Sequence, residues 1–250
     1  MKFQAGPHEI EVNLPDREAV FEAVGARLDA GEGFALATIN LDHLVKLRDD
    51  PAFAETYAAQ DFVVADGNPV VVLSRLAGAP VRLVPGSDLV VPIARLAADR
   101  GVPVALLGST PPVLEAAACR LAEEAPGLSV VCRLAPPMGF DPDGDAAAAV
   151  LEEVARSGAR LCFVALGAPR QERLAARGRA LAPQVGFVSI GAGLDFLAGA
   201  QRRAPVWMRR LALEWLWRLG SDPRRLGLRY ARCAAILPGE TVRALRSRRG

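Results

Sequence analysis

The chain has 250 residues, 51% of them apolar, and a net charge of +2, enough for one large core or a core with a small appended module. Its four cysteines (Cys119, Cys132, Cys162, Cys233) are widely separated and form no CxxC or Cys/His cluster, which excludes a disulfide framework and a zinc site and reads as small buried hydrophobes. Met1 to Ile10 lacks a basic stretch followed by an apolar one, and no run approaches the roughly 18 apolar residues of a spanning helix, so neither export nor a membrane span is expected.

In chain order, Gly33 to Ile39, Phe62 to Ala65, Pro103 to Leu107, Leu128 to Cys132, Arg160 to Leu166 and Gly186 to Ile190 read as buried strands. Helix starts are marked by Pro15-Asp16 before a segment to about Ala30, Ser87-Asp88 before one to Asp99, and Pro111-Pro112 before one to Glu124. Asp145 is expected to cap an Ala-rich run to Arg156. The alternation predicts an α/β fold, a mostly parallel Rossmann-like sheet flanked by helices, with a basic helical appendage at the C-terminus.

The composition changes near Gly199 to Pro205, dividing an α/β body over residues 1–201 from a tail over 202–250. The tail sets thirteen arginines against Glu214, Asp222 and Glu240, a net of +10 in a chain whose total is +2, so the body carries −8. All three tryptophans (Trp207, Trp215, Trp217) also lie in the tail. On a helical wheel from Trp207 to Leu219, Arg210, Glu214 and Arg218 share one ridge, while Trp207, Leu211, Trp215 and Leu219 share an apolar side. Such a helix suits an anionic, partly apolar surface such as a lipid headgroup layer, or docks its apolar side onto the body.

In an open parallel sheet, ligands sit beyond the carboxyl ends of the strands. Here those ends carry Thr38-Ile-Asn40-Leu-Asp42-His43, Asp66-Gly67-Asn68-Pro69, Gly108-Ser109-Thr110, Gly167-Ala168-Pro169-Arg170-Gln171-Glu172 and Gly191-Ala192-Gly193-Leu194-Asp195-Phe196. A carboxylate directly after a buried strand is a candidate general base, and Asp66 has that place, although Asp-Gly-x-Pro is equally ordinary turn chemistry. Thr38 and Asn40 are candidates to bind a sugar or phosphate, or to satisfy buried backbone; His43 is equally a packed imidazole. Gly86-Ser87-Asp88 and Gly108-Ser109-Thr110-Pro111-Pro112 resemble phosphate-binding helix entrances, but the P-loop lysine and the third glycine of a dinucleotide fingerprint are absent. Asp141, Asp143, Asp145 and Glu152 take four positions of an EF-hand-type loop whose sixth place holds Ala146 instead of glycine. No metal and no cofactor are expected.

Together these motifs resemble the WecG/TagA/CpsF glycosyltransferases of bacterial cell-envelope polysaccharide synthesis. The resemblance rests on Thr38-x-Asn40-x-Asp42-His43, Asp66-Gly67-x-Pro69, Gly86-Ser87-Asp88, Pro136-Pro137-x-Gly139-Phe140, Gly167-Ala168-Pro169-x-Gln171-Glu172, Gly191-Ala192-Gly193-x-Asp195-Phe196, Arg203-Ala204-Pro205, and Leu213-Glu214-Trp215-x-x-Arg218-Leu219 with Pro223-x-Arg225. Two departures stand out. Leu83 with Arg82 replaces an arginine that members often carry before the Gly86 loop, and the family's Gly-Leu-Glu-Trp reads Ala212-Leu213-Glu214-Trp215, expected within a helix.

The resemblance implies an inverting transfer of an N-acetylhexosamine-type sugar, such as N-acetylmannosamine or its uronic acid, from a UDP-sugar to polyprenyl-diphosphate-linked N-acetylglucosamine. It implies Asp66 as catalytic base and Thr38 as its partner, and a substrate pocket of Asn40, His43, Asn68, Gly86, Ser87, Asp88, Gly108, Gly167, Gln171, Glu172 and Asp195. Arg203, Arg210, Arg218, Arg225 and Arg229 are expected to meet the diphosphate and an anionic membrane, so the protein is expected in the cytoplasm, peripherally held at the inner face of the cell membrane. Apolar surface left by an undocked tail would favour self-association into a homo-oligomer. The competing class is a nucleic-acid-binding α/β protein using the basic tail. The acidic body with a single tyrosine, Tyr57, offers no stacking platform for it, so no nucleic-acid partner is expected.

Overall fold

A computed structural model of the chain describes residues 1–248, apart from the side chains of Arg210 and Arg225. The six apolar runs form one sheet: β3 (Phe34–Ile39), β4 (Phe62–Ala65), β5 (Val104–Gly108), β6 (Val130–Leu134), β7 (Leu161–Ala165) and β8 (Gly186–Ser189). Every pairing is parallel, in the order β4-β3-β8-β7-β5-β6. All six carboxyl ends therefore open on one edge. Numbered within the sheet the order is 2-1-6-5-3-4, so the layering of a dinucleotide-binding fold is present with a different strand order.

Side chains alternate across the sheet as a two-residue period requires. Phe34 and Leu36, Val104 and Leu106, and Leu161 and Phe163 face α1 (Arg17–Ala30), α5 (Gly86–Asp99), α6 (Pro111–Glu124) and the short α9 (Gly193–Leu197). On the opposite face, Ala105, Leu107, Cys162 and Val164 meet α7 (Asp145–Arg156) and α8 (Arg170–Leu181). Ala37, Ile39 and Val63 meet α2 (Leu41–Asp49), α3 (Pro51–Ala58) and α4 (Asn68–Leu76). Cys132, Cys162 and Cys233 are buried as expected, whereas Cys119 is exposed.

Three local features differ from the sequence reading. A two-stranded antiparallel hairpin of β1 (Lys2–Ala5) and β2 (His8–Glu11), turning at Gly6, precedes the sheet and buries Phe3, Ala5 and Ile10 against the α2–α4 layer. Asp145 is not a cap: it is the first residue of α7, whose N-cap is Gly144 with no side chain to offer, and the chain turns just before at Asp141, which accepts from the Asp143 amide at 3.0 Å. The continuous tail helix is broken into α10 (Val206–Arg210) and α11 (Glu214–Ser221).

The break is a Schellman cap. Leu213 N–H donates to Met208 C=O at 2.8 Å, Ala212 N–H donates to Arg209 C=O at 3.1 Å, and Ala212 takes φ 59°. α1 ends in the same two bonds, from Glu32 to Arg27 and from Gly31 to Leu28, but there Gly31 holds the left-handed position at φ 74°. A Cβ in that region costs about 1–2 kcal/mol, so Ala212, where the resembled family has glycine, is strained. It is a break, not the interior of a helix.

After the break, α12 (Pro223–Ser247) docks on α2 and α4. Cys233 and Ala244 are buried there, with Ile236 and Leu237 packed alongside. Arg229 pairs with Asp42 at 3.0 Å, Arg232 pairs with Asp49, and Arg48 of the body reaches back to the buried Glu240. Part of the charge split between body and tail is thus spent inside the molecule.

Ala212→Gly should relieve the left-handed strain and, less the entropy glycine adds to the unfolded chain, stabilise the protein by about 0.5–1 kcal/mol, or roughly 2 °C in Tm. Gly31→Ala should move Tm the other way by a similar amount; calorimetry showing no rise for Ala212→Gly would contradict the strained break.

Candidate active site

The site begins where β3 and β4 end side by side. Their register pairs Ile39 with Ala65, and the next amide, Asp66 N–H, donates to Ile39 C=O at 2.8 Å. Asp66 and Asn40 therefore leave the sheet as neighbours. Gly67, at φ 142°, lets the chain turn into α4, and a Cβ there would lie 3.3 Å from the Asn40 Cβ. On the other side α5 starts hard against the strand ends: a Cβ on Gly86 would sit 3.1 Å from Thr38 Cγ2 and 3.1 Å from Ser189 O. Glycine at 86 is thus what allows the amides of a helix N-terminus to approach the exits of β3 and β8.

Two carboxylates at opposite ends of β4 show how position decides role. Asp61, before the strand, accepts from Ala35 N–H and from Arg179 Nε, both at 2.8 Å, and ties α8 to the sheet. Asp66, after it, makes no side-chain hydrogen bond among the described residues. Burial pushes its carboxyl above the ordinary 3.8; His43 and Arg218 oppose that rise, while Glu214 and Asp88 add to it. A half-buried, unengaged carboxylate of raised basicity is a group able to take a proton from a bound hydroxyl.

Around Asp66 the structure gathers residues from several segments. Thr38 is buried, and its carbonyl accepts from Tyr57 Oη at 2.7 Å. Asn40 caps α2, its Oδ1 taking the amides of Asp42 (3.0 Å) and His43 (3.2 Å). Asp88, in the first turn of α5, pairs with Arg203 of the tail. Phe196 lies under two tail cations, 5.8 Å from Arg203 and 5.6 Å from Arg218. The tail thus closes over the strand exits through Arg203, Glu214 and Arg218.

The other expected residues are placed less uniformly. Asp195 accepts from Ser109 Oγ at 3.1 Å, at the β5 end of the edge. Ser109 itself holds φ 57°. Gly108 is a buried strand residue whose Cβ would meet Ala165 O at 2.4 Å, so it sets strand spacing and not an open cradle. Gly167 (φ 69°) turns the chain into α8 and accepts the Gln171 amide at 3.1 Å. Asn68 opens α4 and Ser87 the first turn of α5. His43, Gln171 and Glu172 are buried, with His43 and Gln171 each bonded to Glu172. Arg229 is engaged with Asp42 on the far side of α2. The side chains of Arg210 and Arg225 lie outside the described residues. The sequence reading gave Tyr57, Phe196 and Glu214 no place in the site, although Phe196 and Glu214 stand inside quoted motifs, and named Ser109 only as part of the Gly108 loop.

Two cavities, of about 260 and 220 Å³, lie between α2 and α12 and share Val45 and Arg232 in their walls. Neither is lined by Asp66. Among the described residues no three His, Cys, Asp or Glu side chains are grouped so as to hold a metal ion.

The chain matches the model of the glycosyl transferase WecG/TagA/CpsF family over residues 7–250, nearly its full length, and belongs to that family.

If the Arg203–Asp88 pair holds the tail over the site, Arg203→Gln should let the segment open more often. An ion pair of this exposure contributes about 1 kcal/mol, so tryptic cleavage at Arg209 should accelerate roughly fivefold, with the Tm of the body little changed. Cleavage at the wild-type rate would show that other contacts hold the tail.

Proposed function

We propose that this glycosyl transferase moves an N-acetylhexosamine-type sugar, such as N-acetylmannosamine or its uronic acid, from a UDP-sugar to a polyprenyl-diphosphate-linked N-acetylglucosamine, with inversion at the anomeric carbon. One observation carries the reading: Asp66, raised in basicity by burial and free of side-chain hydrogen bonds among the described residues, stands at the exit of β4 beneath tail arginines.

The step is a single displacement. The acceptor hydroxyl oxygen attacks the anomeric carbon, its proton passes to the Asp66 carboxylate, and the bond from that carbon to the diphosphate oxygen breaks, so UDP leaves from the opposite face with the electron pair. A base held about 3 Å from the hydroxyl contributes roughly 10²- to 10⁴-fold. Thr38 and Asn40 hold the sugar beside it, while Gln171 and Asp195 frame the nucleotide-sugar pocket. The charge growing on UDP is met by the amides opening α5 and by Arg203 and Arg218, whose present partners, Asp88 and the Phe196 ring, are exchangeable for a diphosphate.

Residues 202–250 serve in this reading as a membrane-contacting arm that completes the site. In support, Val206, Trp207, Leu211, Trp215, Leu216 and Leu228 are all exposed, large apolar side chains spread from α10 through α11 to the start of α12. Side chains of this kind contribute about 1.5–3 kcal/mol each when fully buried, which suits the cytoplasmic surface of an anionic membrane. No helix among the described residues is long and apolar enough to cross one.

With a UDP-N-acetylhexosamine and a lipid-diphosphate-linked acceptor, Asp66→Asn should lower transfer by roughly 10²- to 10⁴-fold while UDP still raises the Tm. In wild type the acid limb of kcat/KM should lie above 3.8, because the base works only when ionised and its carboxyl titrates higher than usual. The same shift opposes folding: as pH rises from 3.8 through the native value the unfolded chain gives up this proton first, so stability falls and Asp66→Asn should raise Tm at pH 7. Retained turnover in Asp66→Asn would sink the assignment. Separately, Trp207→Glu with Trp215→Glu should cut co-sedimentation with anionic vesicles at least roughly tenfold; unchanged binding would remove the arm from the membrane.

A further inference from the structure

Behind the strand exits lies a buried polar chain with no solvent face. Glu172, fully buried in the first turn of α8, accepts at Oε1 from Gln171 Nε2 (2.7 Å) and lies 3.3 Å from His43 Nε2. Gln171 Oε1 accepts from Gly191 N–H (3.0 Å) at the exit of β8. His43 Nδ1 accepts from Asn40 N–H (3.3 Å) at the exit of β3. Since Nδ1 accepts, the imidazole proton is on Nε2 and is directed at Glu172.

We propose that Glu172 and His43 are a positioning pair for the transfer reaction: they lock the β3 and β8 exits together and so set where Asn40 stands beside Asp66. The proposal rests on the functional reading above and assigns these two residues to holding the site, without contact to substrate.

Three observations carry it. First, Glu172 Oε2 is buried and has no hydrogen-bond partner among the described residues, so the carboxylate is held there through Oε1. A buried charge so weakly compensated costs stability, and an apolar side chain of similar size would serve the core better. Second, the ring of His43 is fixed, edge-on to Tyr57 at 5.8 Å and 6.4 Å from Phe53. Third, the chain ends on groups at the reaction edge. Asn40 has its amide N–H taken by His43 and its Oδ1 taken by two α2 amides, so its orientation is settled before substrate arrives. Preorganisation of this kind matters, because misplacing a substrate-positioning group by about 1 Å costs on the order of 10²-fold in rate.

The titratable and charged groups around Asp66 come from every side: His43 from α2, Tyr57 from α3, Asp88 from α5, Arg203 from the segment after α9, and Glu214 and Arg218 from α11. Of these only His43 is gripped by Glu172. Nitrogen NMR of the full chain at neutral pH should show a single Nε2–H tautomer for His43, and Glu172→Gln should mix the tautomers. That variant should also lower kcat at least about tenfold with donor KM within roughly threefold and Tm not reduced. His43→Gln, which keeps a donor toward Glu172 but places no acceptor at the position of Nδ1, should free the Asn40 amide and lower kcat at least about tenfold with donor KM within roughly threefold.

An unmixed tautomer with wild-type kcat in Glu172→Gln overturns the proposal, as does a fall in kcat matched by falls in Tm and donor affinity. If Glu172→Gln does not fold, wild-type kcat in His43→Gln overturns it. The tautomer readout needs no turnover, so a wild-type protein inactive with UDP-sugars would sink the functional reading and leave the pair to be judged by its spectrum.

Discussion

The last rung between β3 and β4, Asp66 N–H to Ile39 C=O, is the contact on which the site depends. It ends a parallel pairing in which the residue after each strand emerges on the same edge, so an acid and an amide far apart in sequence become neighbours by register alone. Two glycines then shape what surrounds them. Gly67 turns the chain away without a side chain against Asn40, and Gly86 lets a helix N-terminus approach Thr38 closely. The chemistry follows from that packing: a carboxylate with apolar strand behind it and mixed charges above it is held more basic than in water.

The tail joins this edge by charge complementarity. A body of −8 meets a tail of +10, and the described structure spends part of that difference internally, Arg203 on Asp88, Arg229 on Asp42 and Arg232 on Asp49. What remains outside is both apolar and cationic: Trp207, Leu211, Trp215 and Leu228 stand in solvent, and so do Arg202, Arg224, Arg246 and Arg248. The same segment therefore closes the site with one side and presents a greasy surface with the other. Because α12 covers apolar residues of α2 and α4, cutting the chain near residue 199 would uncover core, so single substitutions are the cleaner probe of tail function.

Five of the strands were legible because they are continuous apolar runs bounded by glycine, proline or charge, the pattern of strands buried on both faces; the edge strand β6 lies two residues later than the expected Leu128 to Cys132, with Arg133 in it and Cys132 alone buried. Gly33 to Ile39 and Arg160 to Leu166 contain β3 and β7 with one residue to spare at an end or at each end. The β1–β2 hairpin was not legible, since Lys2, Gln4, Glu9 and Glu11 dilute two four-residue strands that depend on the body for burial. The tail wheel failed at one residue: nothing in Leu211-Ala212-Leu213 signals a stop, because the left-handed place is filled by alanine instead of glycine. Asp66, Asn40 and Asp88 could be nominated from their places after strands or before a helix. The His43–Glu172 contact could not, as it joins positions 129 residues apart and exists only once α2 and α8 pack on the same sheet.

The most direct test of Asp66 as the base is a crystal structure of the full chain with UDP. If the strand exits are the reaction site, the nucleotide should lie along the ends of β3, β4 and β8, its diphosphate reached by Arg203, Arg218 or the amides opening α5, and its terminal phosphate facing the Asp66 carboxylate across the space of one sugar. Nucleotide bound instead between α2 and α12, in the cavities lined by Lys46, Arg229 and Arg232, would contradict it.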